Sequence, residues 1–150
     1  YSVAEHSVVV SLYVAPEFAR EALLHDASEA YLGDMIRPLK YQPEMTEFRR
    51  IEAHLEAMIY GRVGVEVSDT SRSHVKRIDD RILVDERMQI MAPPPKAWHD
   101  TGPALGANLA CLPPAKAEYV FVTRFLQLFP EWNHAGQTLL DTIVATSRGH

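Results

Sequence analysis

With 150 residues, 47% of them hydrophobic and 23% charged, the chain is sized for one globular domain and is too apolar for its charge to remain disordered. Asp and Glu total 20 against 15 Lys and Arg, and the formal net charge of −5 excludes the broad basic face that duplex nucleic acid requires. Seven histidines stand beside a single cysteine, Cys111, so an internal disulfide is excluded, imidazole is the abundant metal-binding group, and a reducing cytoplasm is the expected compartment.

Ser2 is placed to cap a first helix running to about Val14. Pro16 opens a second, from about Glu17 through His25-Asp26 to Leu32, with Gly33 as its stop. Asp34 to Pro43, holding Pro38 and Pro43, reads as a loop. A third helix is expected from Glu44 to Arg62, its Ile51, Leu55, Met58 and Ile59 facing the core and Gly61 and Gly64 ending it. Ser68-Asp69-Thr70-Ser71 precedes a fourth, about Ser71 to Met91, which stops at Pro93-Pro94-Pro95. Between Pro93 and Pro114 the chain makes an irregular, proline-rich excursion of the kind that often forms lids or substrate walls. Two more helices follow, about Ala115 to Phe129 and Gly136 to Ser147.

Nothing alternates with period two for long, and no apolar run approaches the ~18 residues of a membrane span. The expected fold class is all-α: one helical bundle with a core over 1–91, a loop over 92–114 and C-terminal helices over 115–148. The opening at Tyr1 rather than methionine implies residues upstream.

The chemistry concentrates around His25-Asp26. On a helix His25, Asp26 and Glu29 share one arc of about 100°, amid the apolar Ala22, Leu23, Leu24, Ala27 and Ala30. Burying a histidine with two carboxylates is costly unless a cation compensates them, and a divalent ion bound by mixed nitrogen and oxygen donors is the economical explanation. His6 on the first helix shares a side with Val3, Val10 and Tyr13 and is able to point inward. On the fourth helix Asp79 sits at the edge of the Val75/Ile78/Ile82 stripe, whereas Asp80 is turned about 140° away. Periodicity nominates His6, His25, Asp26 and Asp79 as a ligand set but does not show that they converge.

Three segments resemble a known family. Tyr1-Ser2-Val3-Ala4-Glu5-His6-Ser7, Ala22-Leu23-Leu24-His25-Asp26-Ala27-Ser28-Glu29-Ala30-Tyr31-Leu32-Gly33-Asp34 and Pro38-Leu39-Lys40 are similar to the HD-domain phosphohydrolases. The branch they most resemble holds the bacterial 5′-deoxynucleotidases and phage deoxynucleoside triphosphate phosphohydrolases. Ile78-Asp79-Asp80-Arg81-Ile82-Leu83-Val84-Asp85-Glu86 resembles that branch's last ligand segment, in which the aspartate precedes a glutamate by seven positions. The likeness spans about residues 1–91.

It implies one divalent ion (Zn, Mn, Co, Fe or Mg) held by His6, His25, Asp26 and Asp79, with Glu29, Asp34 and Lys40 at the catalytic or substrate-contacting positions. The expected reaction is hydrolysis of phosphate from a nucleotide, a deoxynucleoside 5′-monophosphate or triphosphate. The expected partner is that small-molecule nucleotide, with no duplex nucleic acid and no membrane, and a homo-oligomer is compatible with the reading. The base- and sugar-contacting residues of this branch often lie upstream of the Tyr1 segment. Two rivals remain open, a two-metal HD oxygenase using His54 and His74 and a non-catalytic nucleotide-sensing HD module. His99-Asp100 and Cys111 read as loop groups, and the basic cluster Arg49, Arg50, Arg72, Lys76, Arg77 and Arg81 as mostly solvated helix faces, with one or two of them able to meet substrate phosphates.

Overall fold

The computed structural model describes residues 1–93 and 102–133, and every regular element among them is an α-helix or a 3₁₀ turn. The fold class is all-α. Ser2 caps α1 (Val3–Tyr13), its hydroxyl accepting the Glu5 backbone N–H at 3.2 Å. A 3₁₀ turn at Pro16–Phe18 leads into α2 (Ala19–Leu24), followed by α3 (Glu29–Leu32) and α4 (Arg37–Lys40). After another 3₁₀ turn at Pro43–Met45 come α5 (Thr46–Val63), α6 (Asp69–Gln89) and α7 (Pro114–Leu128). In α6, Ser68 and Ser71 form a reciprocal capping box that satisfies two backbone donors of the first turn.

Helix α2 sits at the junction of two apolar clusters. Ala22 packs with Val10 of α1 and Val75, Ile78 and Ile82 of α6. Leu23 and Leu24 pack instead with Tyr60 and Phe129, supported by Phe121, Phe125 and Trp132. Since α1 lies against both α2 and α7, the short α2 is held from several sides.

The structure departs from the sequence expectations in four places. The helix expected from Glu17 to Leu32 is broken: residues 25–28 form turns closed by i→i+3 bonds such as Ala27 N–H to Leu24 O and Glu29 N–H to Asp26 O. The His25 Nδ1–H donates to Ala22 O at 2.8 Å, occupying the carbonyl that residue 26 would use in a regular helix. The stretch expected as loop from Asp34 to Pro43 contains α4.

On α5 the expected core stripe is only half inside, with Leu55 and Ile59 half-buried but Ile51 and Met58 exposed, and Tyr60 is the buried residue. The inward side carries the polar series Glu52, Glu56 and Tyr60 at four-residue spacing, because this helix borders a polar cavity. Gly61 lies inside α5, and Gly64, at φ 70°, ends it in the left-handed conformation that glycine takes without a Cβ clash. The helix expected at 136–147 and the His99-Asp100 pair lie outside the described residues.

The far end of the proline-rich excursion is a strap bound by side chains. Both oxygens of buried Glu5 accept backbone N–H groups, from Ala110 (2.9 Å), Cys111 (3.0 Å) and Leu112 (2.7 Å). Asp85 does the same for Leu105 (2.7 Å), Gly106 (3.0 Å) and Ala107 (3.1 Å). Gln89 bonds Ala107 O and Leu109 N–H, and Arg81 donates to Pro103 and Ala104 carbonyls. Among the described residues this segment is fastened by side chains and does not line the cavity over His6 and His25.

Candidate metal centre

Two helices and one turn bring the nominated ligands together. His6 comes from the middle of α1, His25 and Asp26 from the turn after α2, and Asp79 from the middle of α6. His6 Nε2 lies 3.4 Å from His25 Nε2, 3.3 Å from Asp79 Oδ1 and 3.6 Å from Asp26 Oδ2. His25 Nε2 is 3.3 Å from Asp26 Oδ2 and 3.8 Å from Asp79 Oδ1. His6, His25 and Asp79 make the tight trio.

Both rings have their other nitrogen fixed. A carboxylate and a carbonyl can only accept, so His6 Nδ1–H donates to Glu86 Oε1 at 2.7 Å and His25 Nδ1–H donates to Ala22 O. In its neutral form each imidazole therefore turns its Nε2 lone pair toward the other. Two lone pairs 3.4 Å apart beside two carboxylates need a proton or a cation between them. Nitrogen and oxygen ligands about 2.0–2.2 Å from a common ion stand roughly 3–3.5 Å from one another, close to the spacing here. The donor set fits a divalent ion of borderline hardness.

The electrostatics describe the same competition. Burial pulls the His6 imidazolium down, but hydrogen bonds with Asp79 and Glu86 outweigh it and raise its pKa to about 10. His25 is also raised: burial opposes its charge, and Asp79 and Asp26 overcome it. Burial would lift the Asp79 carboxyl, yet hydrogen bonds from both histidines, with Lys76 at 2.8 Å, hold it well below the usual range.

A cavity of about 560 Å³ opens over the cluster and is lined also by Glu29, Asp34, Arg37 and Lys40. Glu29 is half-buried, and burial, then the negative charges of Asp26 and Asp34, raise its carboxyl to about 7. Lys40 is held 2.7 Å from Glu52; burial works against its charge, but that contact keeps its pKa above the ordinary value. Asp34 is exposed at the cavity edge, just past Gly33. Arg37 reaches Asp79 and Asp80 at 3.5 Å, and Lys76 also pairs with Asp80, which is half-buried rather than turned fully to water.

His54 is exposed, and His74 donates its Nδ1–H to Thr70 O and packs on the Phe18 ring; neither lines the cavity. Arg49 clamps the turn before α5 through the carbonyls of Lys40 and Gln42, and Arg50 pairs with Glu47. Cys111 is exposed in the strap. Sequence reasoning gave no role to Glu86, Glu5, Glu21 or Arg37. For Glu86 the signal was present, since seven residues from Asp79 is two turns of one helix face.

Over 131 aligned residues the chain is 35% identical to the uncharacterized protein YfdR of Escherichia coli (strain K12), an alignment covering 85% of this chain and 71% of the relative. The chain belongs to the YfdR family. No family model matches it. The breadth of the alignment relates the YfdR family to this chain across most of its length rather than through one short motif.

Proposed function

We propose that the chain is a metal-dependent phosphohydrolase of the HD type, acting on a deoxynucleoside 5′-phosphate in the cytoplasm. The observation that carries this reading is the convergence of His6, His25 and Asp79, with Asp26 beside them, in the wall of a cavity that also holds a half-buried carboxyl and basic side chains. His6, His25, Asp26 and Asp79 would hold a divalent ion, which when bound would supply Lewis acidity toward a phosphoryl oxygen and a lowered water pKa of about 7.

The chain's own residues do the rest. Glu29, raised to about 7, is poised to take a proton from water near neutral pH, as a general base requires. Lys40 and Arg37 present positive charge at the cavity wall, where phosphate oxygens gather charge. Glu52 fixes the Lys40 ammonium, and Asp34 lies at the rim in reach of a sugar hydroxyl or water. The peripheral positions of His54 and His74 favour one ion over two.

The test is phosphate release from a panel of dNMPs and dNTPs with Mn, Co, Mg and Zn. Wild type is expected to turn over at least one of them. His25→Ala should abolish turnover, and Glu29→Ala should reduce it by about 10²–10⁴-fold with metal binding intact. No turnover of any nucleotide by the metal-loaded protein overturns the proposal.

A further inference from the structure

Tyr41 is an aromatic ring at the cavity that the proposed mechanism does not use. It follows Lys40 directly at the end of α4, and its backbone N–H donates to Arg37 O at 3.2 Å. Arg49 holds the backbone on either side of it, donating to Lys40 O at 2.6 Å and Gln42 O at 3.0 Å. The same guanidinium lies over the Tyr41 ring, 5.8 Å from its centroid and within cation–π range. Tyr41 lines the cavity and Arg49 does not.

An exposed tyrosine is ordinary by itself, and Tyr31 is one that stays outside the cavity. Tyr41 differs in that a ring 69% exposed is held from behind at the wall of a site. Two other tyrosines line the cavity. Tyr60 is buried and offers no open face, and Tyr1 meets the His6 ring edge to face. Met35, Ile90 and Met91 add apolar wall but no flat surface. A ring whose backbone is already fixed loses little further freedom when a flat partner is laid on it.

Resting on the phosphohydrolase reading, we infer that Tyr41 is a binding residue on whose open face the nucleobase stacks. Lys40 is placed to meet the phosphate. Tyr41 is close enough to act on the Lys40 charge, and Lys40 on that of Glu29, so ring, ammonium and general base follow one another along one cavity wall. The cavity volume suits a ligand of nucleotide size. Every base has a π-face, so the stack senses that a base is present rather than which base it is.

The experiment follows phosphate release from dAMP and dTMP by the metal-loaded wild type, Tyr41→Phe and Tyr41→Ala, with melting curves to confirm folding. It adds the inhibition constant of 2-deoxyribose 5-phosphate, the same ester without a base, and calorimetric binding of deoxyadenosine. Tyr41→Ala should raise KM for both nucleotides by about 5-fold or more and weaken deoxyadenosine equally, leaving deoxyribose 5-phosphate unchanged. Tyr41→Phe, which keeps the ring, should match wild type within about two-fold. An alanine variant equal to wild type overturns the inference while leaving the phosphohydrolase reading standing. So does a loss shared by deoxyribose 5-phosphate, which assigns the effect to Lys40, or an equal loss in Tyr41→Phe, which assigns it to the hydroxyl. Should no nucleotide release phosphate, the nucleoside decides: weaker binding in Tyr41→Ala keeps the stack without the hydrolase, and its absence overturns both.

Discussion

At the scale of single residues, the candidate centre depends as much on what stands behind the ligands as on the ligands themselves. Glu86 orients His6 through Nδ1, and loss of such a partner typically weakens metal affinity by about 10- to 100-fold. Glu86→Gln should show a drop of that size by calorimetric titration while keeping the fold, and unchanged affinity would deny it this role. The same contacts predict a pH dependence in chelated protein. The His6 pKa is raised in the fold to about 10 from 6.5, so its stabilisation is full below pH 6.5 and is lost as pH rises through about 10. Denaturant midpoints of wild type in EDTA should fall over that interval more than those of His6→Ala. His25 and Asp26 were legible because histidine beside acid is rare on an apolar helix, and His6 and Asp79 because each shares a helix side with apolar residues. Glu21 and Glu5 were not, since a lone glutamate in a helix most often faces solvent and nothing in its neighbours marks it as buried.

At the scale of elements, the Glu5 staple ties α1 to the strap with three charge-assisted hydrogen bonds. Glu5→Ala leaves three backbone donors without that acceptor, and the expected loss is on the order of 2–4 kcal/mol in chemical denaturation. A loss under ~0.5 kcal/mol would mean that water replaces the carboxylate at no cost. The Ser2 and Ser68 caps, the Gly33 stop and the Val75/Ile78/Ile82 stripe could be read from the sequence because each is local chemistry. The break after Leu24 was not legible: it follows from a histidine ring taking a helix carbonyl, which helical periodicity does not encode. On α5 the apolar period gave the inward face only in part, Leu55 and Ile59 but not Ile51 and Met58, because this helix also borders a polar cavity through Glu56 and Tyr60.

At the scale of the whole molecule, the ligands come from segments separated by up to 73 positions, Asp79 against His6. An ion that binds them favours the folded chain alone, adding about 2.7 kcal/mol at a hundred times its Kd. For a chain of this size the melting temperature should rise by about 5–10 °C with saturating Mn, and the rise should vanish in His25→Ala. A wild type indifferent to every divalent ion would remove the metal from the proposal.

On two helices, adjacent residues divide their work. Glu5 holds the strap while His6 faces the centre, and Asp85 holds the strap while Glu86 steadies His6. The chain entering and leaving residues 94–101 is therefore fastened on either side, by α6 before it and by the Asp85 and Glu5 carboxylates after it. A slip of one position in the register of α1 or α6 would exchange the duties within each pair, so the same helix registers set both the strap and the candidate centre.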